Sequence, residues 1–162
     1  MSRLAESMAP GGAHHRLLQL VGDWEGMTRT WFEPDQLADE SPWRGSIRPI
    51  YDGRFVLYEY EGLIQGESFR GTVTFGFNLT AGRYEASWTD TNHMGTGIMF
   101  SEGIGTEHGF SVLGSYAVND GTRWGWRTVV AMPDPDHLVI TAYNISPEGQ
   151  EAKGIETVYT RK

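Results

Sequence analysis

The 162-residue chain contains no cysteine. That absence removes disulfides, thiolate nucleophiles and cysteine metal sites together, and it agrees with a reducing compartment. No run approaches the roughly 18 to 20 apolar residues of a membrane-spanning helix. The opening MSRLAESMAPGGAHH lacks the apolar core of a signal peptide. A cytoplasmic protein without a membrane partner is expected. Basic residues are the scarcer charge, 13 against 21 acidic for a net of -8. They are scattered singly, so no basic stripe exists to hold nucleic acid.

Metal and cofactor motifs are missing as well. The histidines His14, His15, His93, His108 and His137 show neither H-x-H nor H-E-x-x-H spacing. GTGIMFSEGIGTEHG is rich in glycine but lacks the G-x-x-x-x-G-K-[ST] of a phosphate loop, and there is no G-x-S-x-G elbow. Neither a metal nor a cofactor is expected.

Aromatics and glycine are plentiful: six Trp, seven Tyr, seven Phe and 21 Gly. Rings together with turn residues favour an antiparallel β-protein over a disordered chain. Residues 1–11 offer no periodicity and are expected to be a flexible lead-in to one domain over 12–162. One short helix is expected in GGAHHRLLQLV, where His14, Leu17, Leu18 and Val21 form an apolar stripe. Gly22 is expected to stop it. Strand-like segments then follow every 10 to 12 residues or so, which is the spacing of a sandwich or barrel. They begin with DWEGMTRTWF and PWRGSIRPIY and end with HLVITAYNI and KGIETVYTRK. Ten can be counted. Their connections are too short for parallel crossovers, so an up-and-down antiparallel meander is expected. Closure into a barrel would remove its edges. EPDQLADES, the longest irregular stretch, reads as a bland acidic loop or as a lid.

In the first strand, alternation puts Trp24, Gly26, Thr28, Thr30 and Phe32 on one face and charged residues on the other. The first face would look inward, and its small residues would leave a cavity. On closure Arg161 of the last strand would lie over Trp24. The short helix, Gly22-x-Trp24 on the first strand and Arg161 ending the last strand resemble the calycin superfamily, the lipocalins and fatty-acid-binding-protein-like barrels. The fuller set His14, Leu17, Leu20, Gly22 and Trp24, with IRPIYDGRFVLYEYEG and GRYEASWTDTNHMGTG, is most similar to the bacterial domain-of-unknown-function family 1579. This resemblance implies an all-β barrel and a cavity, and no chemistry.

The polar candidates divide between binding and catalysis. Asp90 and His93 could meet across a turn, either as a carboxylate orienting an acid–base histidine or as turn capping. Thr28, Tyr58, Trp88, Trp126, Arg127, Tyr143 and Tyr159 are the expected ligand contacts. Trp124, Phe75 and Phe77 would add apolar wall, and an inward Arg127 among tyrosines would hold a carboxylate. Glu59 and Glu61 are expected to face water. The resulting expectation is a module binding a small, partly apolar ligand inside the barrel. The alternative is an acid–base enzyme, decarboxylase-like, on the same scaffold. A homodimer through Trp31 and Trp43 is a third reading.

Overall fold

The computed structural model describes residues 1–162. Ten strands follow in chain order: β1 (Gly22–Glu33), β2 (Gln36–Ile50), β3 (Phe55–Ile64), β4 (Glu67–Asn78), β5 (Arg83–Asp90), β6 (Met99–Gly105), β7 (Gly109–Ala117), β8 (Arg123–Asp134), β9 (His137–Ile145) and β10 (Glu151–Arg161). Each pairs antiparallel with the next, and β1 pairs with β10 to close the barrel. The expected meander is therefore the observed one.

Two helices precede it. Residues 1–11 carry α1 (Arg3–Met8), capped by the Ser2 hydroxyl, ahead of the expected α2 (Ala13–Leu18). Ser7 ties them together, its Oγ lying 2.8 Å from His14 Nδ1. Gly22 does not end the helix, which stops at Leu18; the chain turns through Gln19 to Val21 before β1 starts. Gly22 has φ +152° instead, and a side chain there would collide with the Arg161 guanidinium. It is glycine because of that close approach.

The acidic stretch EPDQLADES is likewise not a loop. It is a hairpin with Pro34 and Asp35 at its tip, the latter at φ +59°. Its alternation is hard to read because this tip stands in solvent on both faces, so no apolar period marks the strands.

α2 covers one end of the barrel. His14 and Leu17, with Leu20 after the helix, are buried there against Trp24, Phe77 and Tyr84. Trp24 is fully buried and donates its Nε1–H to the Leu20 carbonyl at 2.9 Å. The Arg161 guanidinium lies 4.3 Å from the Trp24 ring centroid, as the closure argument required. Arg161 also donates to the carbonyls of Val21 (2.6 Å), Pro135 (2.9 Å) and Gln19 (3.1 Å). Arg16 fixes the opposite edge of the helix through the Thr106 and Gly109 carbonyls, both at 2.6 Å. No helix is long and apolar enough to cross a membrane.

Candidate functional site: the open end of the barrel

The inner face of β1 is small, as expected, but the room it leaves is filled. Large rings on the adjoining strands lean into it: Trp43, Tyr58 and Tyr60 from β2 and β3, and Tyr159 from β10. Trp43 stacks on Tyr60 at 5.4 Å, and the Tyr58 and Tyr159 hydroxyls meet at 2.7 Å. Gly71 has no side chain because the Tyr60 hydroxyl and the Asp90 Cβ occupy that place. What remains inside is a cavity of about 70 Å³, walled by Tyr58, Tyr60, Phe75, Trp88 and Trp126. Burial drives the hydroxyl pKa of Tyr58, Tyr60 and Tyr159 upward, so all three stay neutral phenols.

The space large enough for a ligand lies above, at the end opposite α2. It is a mouth of about 820 Å³ lined by Trp31, Trp88, His93, Tyr116, Trp124 and Trp126, among others. Ligand sites run from about 300 to 1,000 Å³. Trp88 and Trp126 line both spaces. Their rings stack at 5.8 Å and 17°, forming the floor of the mouth and the roof of the cavity. Trp88 is held from below, donating Nε1–H to the Tyr60 hydroxyl at 2.6 Å. Two grooves on the outer wall, of about 710 and 920 Å³, are shallower and run over the exposed pair Arg44–Glu61 and its neighbours.

Asp90 ends β5 and His93 stands in the following loop; they meet at 2.8 Å, Oδ2 to Nδ1. Asp90 Oδ1 also accepts the Asn92 amide at 3.2 Å and the Met94 amide at 2.7 Å. The pair meets across the turn as expected: Asp90 caps its turn and holds the imidazole. Burial pushes the Asp90 pKa up, but the bonds from His93 and the Met94 amide and the His93 charge outweigh it, so the net shift is downward. An ionised Asp90 fixes the proton of His93 on Nδ1 and leaves Nε2 as the free ring nitrogen. The imidazole sits 5.6 Å from the Trp88 ring and 6.2 Å from Trp126.

The remaining expected contacts separate. Trp88 and Trp126 face the mouth. Tyr58 lines only the inner cavity, and Tyr159 is buried beside it. Thr28 is fully buried, its hydroxyl 2.8 Å from that of Thr157. Arg127 and Tyr143 are on the outer wall. Arg127 binds both Glu151 carboxylate oxygens, at 2.7 and 3.2 Å, and lies 4.4 Å over the Tyr143 ring. The inward Arg127 is thereby corrected: neighbours in a strand face opposite sides, so Trp126 and Arg127 cannot both line one space. Glu59 and Glu61 face outward, paired with Arg48 and Arg44. Trp43 is buried in the core, which takes it out of any dimer surface.

Sequence reasoning missed Thr30, Tyr116 and Asn144 as mouth residues. The signal was alternation: Thr30 follows Trp24 at even steps, and Asn144 stands two residues from the inward Ala142. Tyr116 donates its hydroxyl to Asn144 Oδ1 at 2.5 Å.

Solved structures share this fold. One is Rv2717c from M. tuberculosis, 14% identical with a TM-score of 0.65 over 95% of this chain and 98% of that one. Another is the S-type phycobiliprotein lyase CPES from Guillardia theta, 11% identical with a TM-score of 0.59 over 100% and 98%. No curated protein sequence matches. The family model for the protein of unknown function DUF1579 matches residues 9–161, and the chain belongs to that family.

Proposed function

We propose that this barrel binds a small, partly apolar ligand in its mouth, in the cytoplasm, with the Trp88–Trp126 pair as the floor and the Asp90–His93 pair on the wall. The observation that carries this reading is the contrast in space: about 820 Å³ above the tryptophan pair against about 70 Å³ below it. Aromatic walls bind flat apolar bodies by area and by stacking. The carboxylate-bearing ligand suggested by an inward Arg127 loses its anchor, since that guanidinium is spent on Glu151 outside. Titration with N-phenyl-1-naphthylamine tests the reading. We expect saturable one-to-one binding that weakens at least tenfold in Trp126→Ala; absence of saturation with this and similar aromatic probes would sink it.

A second reading is acid–base catalysis, supported by the 2.8 Å Asp90–His93 contact beside the mouth. A carboxylate-oriented imidazole with a free nitrogen can take a proton from a bound substrate. His93→Gln separates the readings: a binder keeps its affinity within a few-fold, whereas an enzyme loses turnover of any substrate found.

A further inference from the structure

Thr30 is 1% exposed, and its hydroxyl is a buried side-chain polar atom without a hydrogen-bond partner in the protein. Such an atom lowers the stability of the free fold. Its counterpart one step down β1, Thr28, is paired with Thr157. Thr30 lines the mouth, and the barrel wall is interrupted beside it. The β1–β10 ladder runs from Trp24↔Arg161 to Thr30↔Ile155 and stops there, although β1 continues to Glu33 and β10 begins at Glu151. The flanking ladders shift register at the same level, between Lys153 and Ile155 where β10 pairs with β9 and after Thr30 where β1 pairs with β2. Beyond the end of this ladder, Trp31–Glu33 and Glu151–Gly154 all line the mouth, and Lys153 Nζ lies 5.6 Å from the Trp31 ring centroid.

The polar groups where this ladder ends share one character. Asn144 spends its Oδ1 on Tyr116 and keeps Nδ2–H without a protein partner. Lys153 is held by Glu156 at 2.9 Å. Glu151 is held by Arg127, and Glu33 at the rim has no cation partner. The spare donors are thus neutral, with no unpaired cation beside them. An anion entering here would be buried without a counter-charge, whereas a neutral acceptor would complete Thr30 and Asn144.

We propose, building on the binding reading above, that the mouth selects aromatic ligands bearing a neutral hydrogen-bond acceptor of the ketone, ester or amide type. The Thr30 hydroxyl binds the acceptor.

Three probes of one shape test this: 2-acetylnaphthalene, 2-ethylnaphthalene and 2-naphthoate, each competing against N-phenyl-1-naphthylamine. The wild type binds the ketone about five- to tenfold more tightly than the ethyl compound, as one buried hydrogen bond allows, and the carboxylate no more tightly than the ketone. Thr30→Val, which keeps the shape and removes the hydroxyl, abolishes the ketone preference and raises the Tm of the free protein. Thr30→Ser restores the preference. If valine disturbs folding, Thr30→Ala supplies the second hydroxyl-free variant. A ketone preference that survives loss of the hydroxyl overturns the anchor. So does equal binding of ketone and ethyl probes in the wild type, and a carboxylate that binds best overturns the neutral class. In each of these cases the mouth remains a binding site. No displacement by any probe overturns the binding reading itself.

Discussion

The two ends of this barrel are built on opposite principles. At the end covered by α2, polar groups find partners within the chain: Trp24 Nε1 on Leu20, Arg161 on three carbonyls, Arg16 on two, and His14 on Ser7. The β1–β10 ladder there is unbroken. At the mouth that ladder ends, Thr30 has no partner, and tryptophans line open space. On the proposed binding reading, stability and recognition are drawn from different regions. Satisfied, packed groups hold a fold together, while unsatisfied ones are free to meet something else.

The comparison breaks most sharply at Trp24. Trp24→Ala removes a fully buried ring and its hydrogen bond, at a cost of about 3 to 5 kcal/mol. Urea denaturation measures this. Variant protein that stays folded should bind mouth probes unchanged; a variant with full stability but lost binding would show that the ends had been assigned the wrong way round. Arg161→Met comes next. It keeps apolar cover over Trp24 but strips three backbone carbonyls of their donor, at about 2 to 3 kcal/mol. The same denaturation curves check it, again with mouth binding unchanged.

The closed end was legible in the sequence because its pieces are sequential signals: a short amphipathic stripe, G-x-W, and an arginine ending the last strand. Strand number and order were legible too, since turn chemistry separates nearly every pair. The mouth was not. Arg127 was placed inside beside Trp126 although neighbouring strand residues must part, and a one-residue choice of face decides each such assignment. The central cavity is smaller than expected for a different reason. Small residues on β1 do leave space, but which distant ring fills it depends on closure, and Tyr58, Tyr60 and Tyr159 arrive from strands far along the chain. Asp90 and His93, three residues apart, were within reach of local reasoning. Thr30 was seen as inward, yet its lack of a partner is a property of the whole wall.

A smaller effect separates a satisfied hydroxyl from the orphan one step above it. Thr28→Val breaks the pair with Thr157 and leaves that hydroxyl buried alone, at about 1 to 2 kcal/mol. The double variant Thr28→Val/Thr157→Val should recover most of this, because no polar atom is then stranded. A double-mutant cycle by chemical denaturation reads the coupling; additive losses would mean that the two hydroxyls do not act as a pair.

Acid resolves the two ends in pH. Burial lowers the pKa of His14 at the α2 end below its usual 6.5. The unfolded chain then binds the proton more readily than the folded one, so stability is full above 6.5 and declines as pH falls toward the folded value. Asp90 at the mouth is also lowered, from 3.8, by its bonds to His93 and the Met94 amide acting against burial. Its contribution is full above that value and is lost only as pH drops through the depressed folded one. Two windows follow: one below pH 6.5 in which His14 at the closed end contributes, and one below pH 3.8 in which Asp90 at the mouth contributes alongside the exposed Asp120 and Asp134. Denaturation midpoints across pH should show the first slope flattened in His14→Gln and the second in Asp90→Asn. Each variant should keep the other's slope, since the two groups lie at opposite ends of the barrel. A single decline that both variants flatten equally would mean the ends are one cooperative electrostatic unit, and the division between a stabilising end and a binding end would not hold.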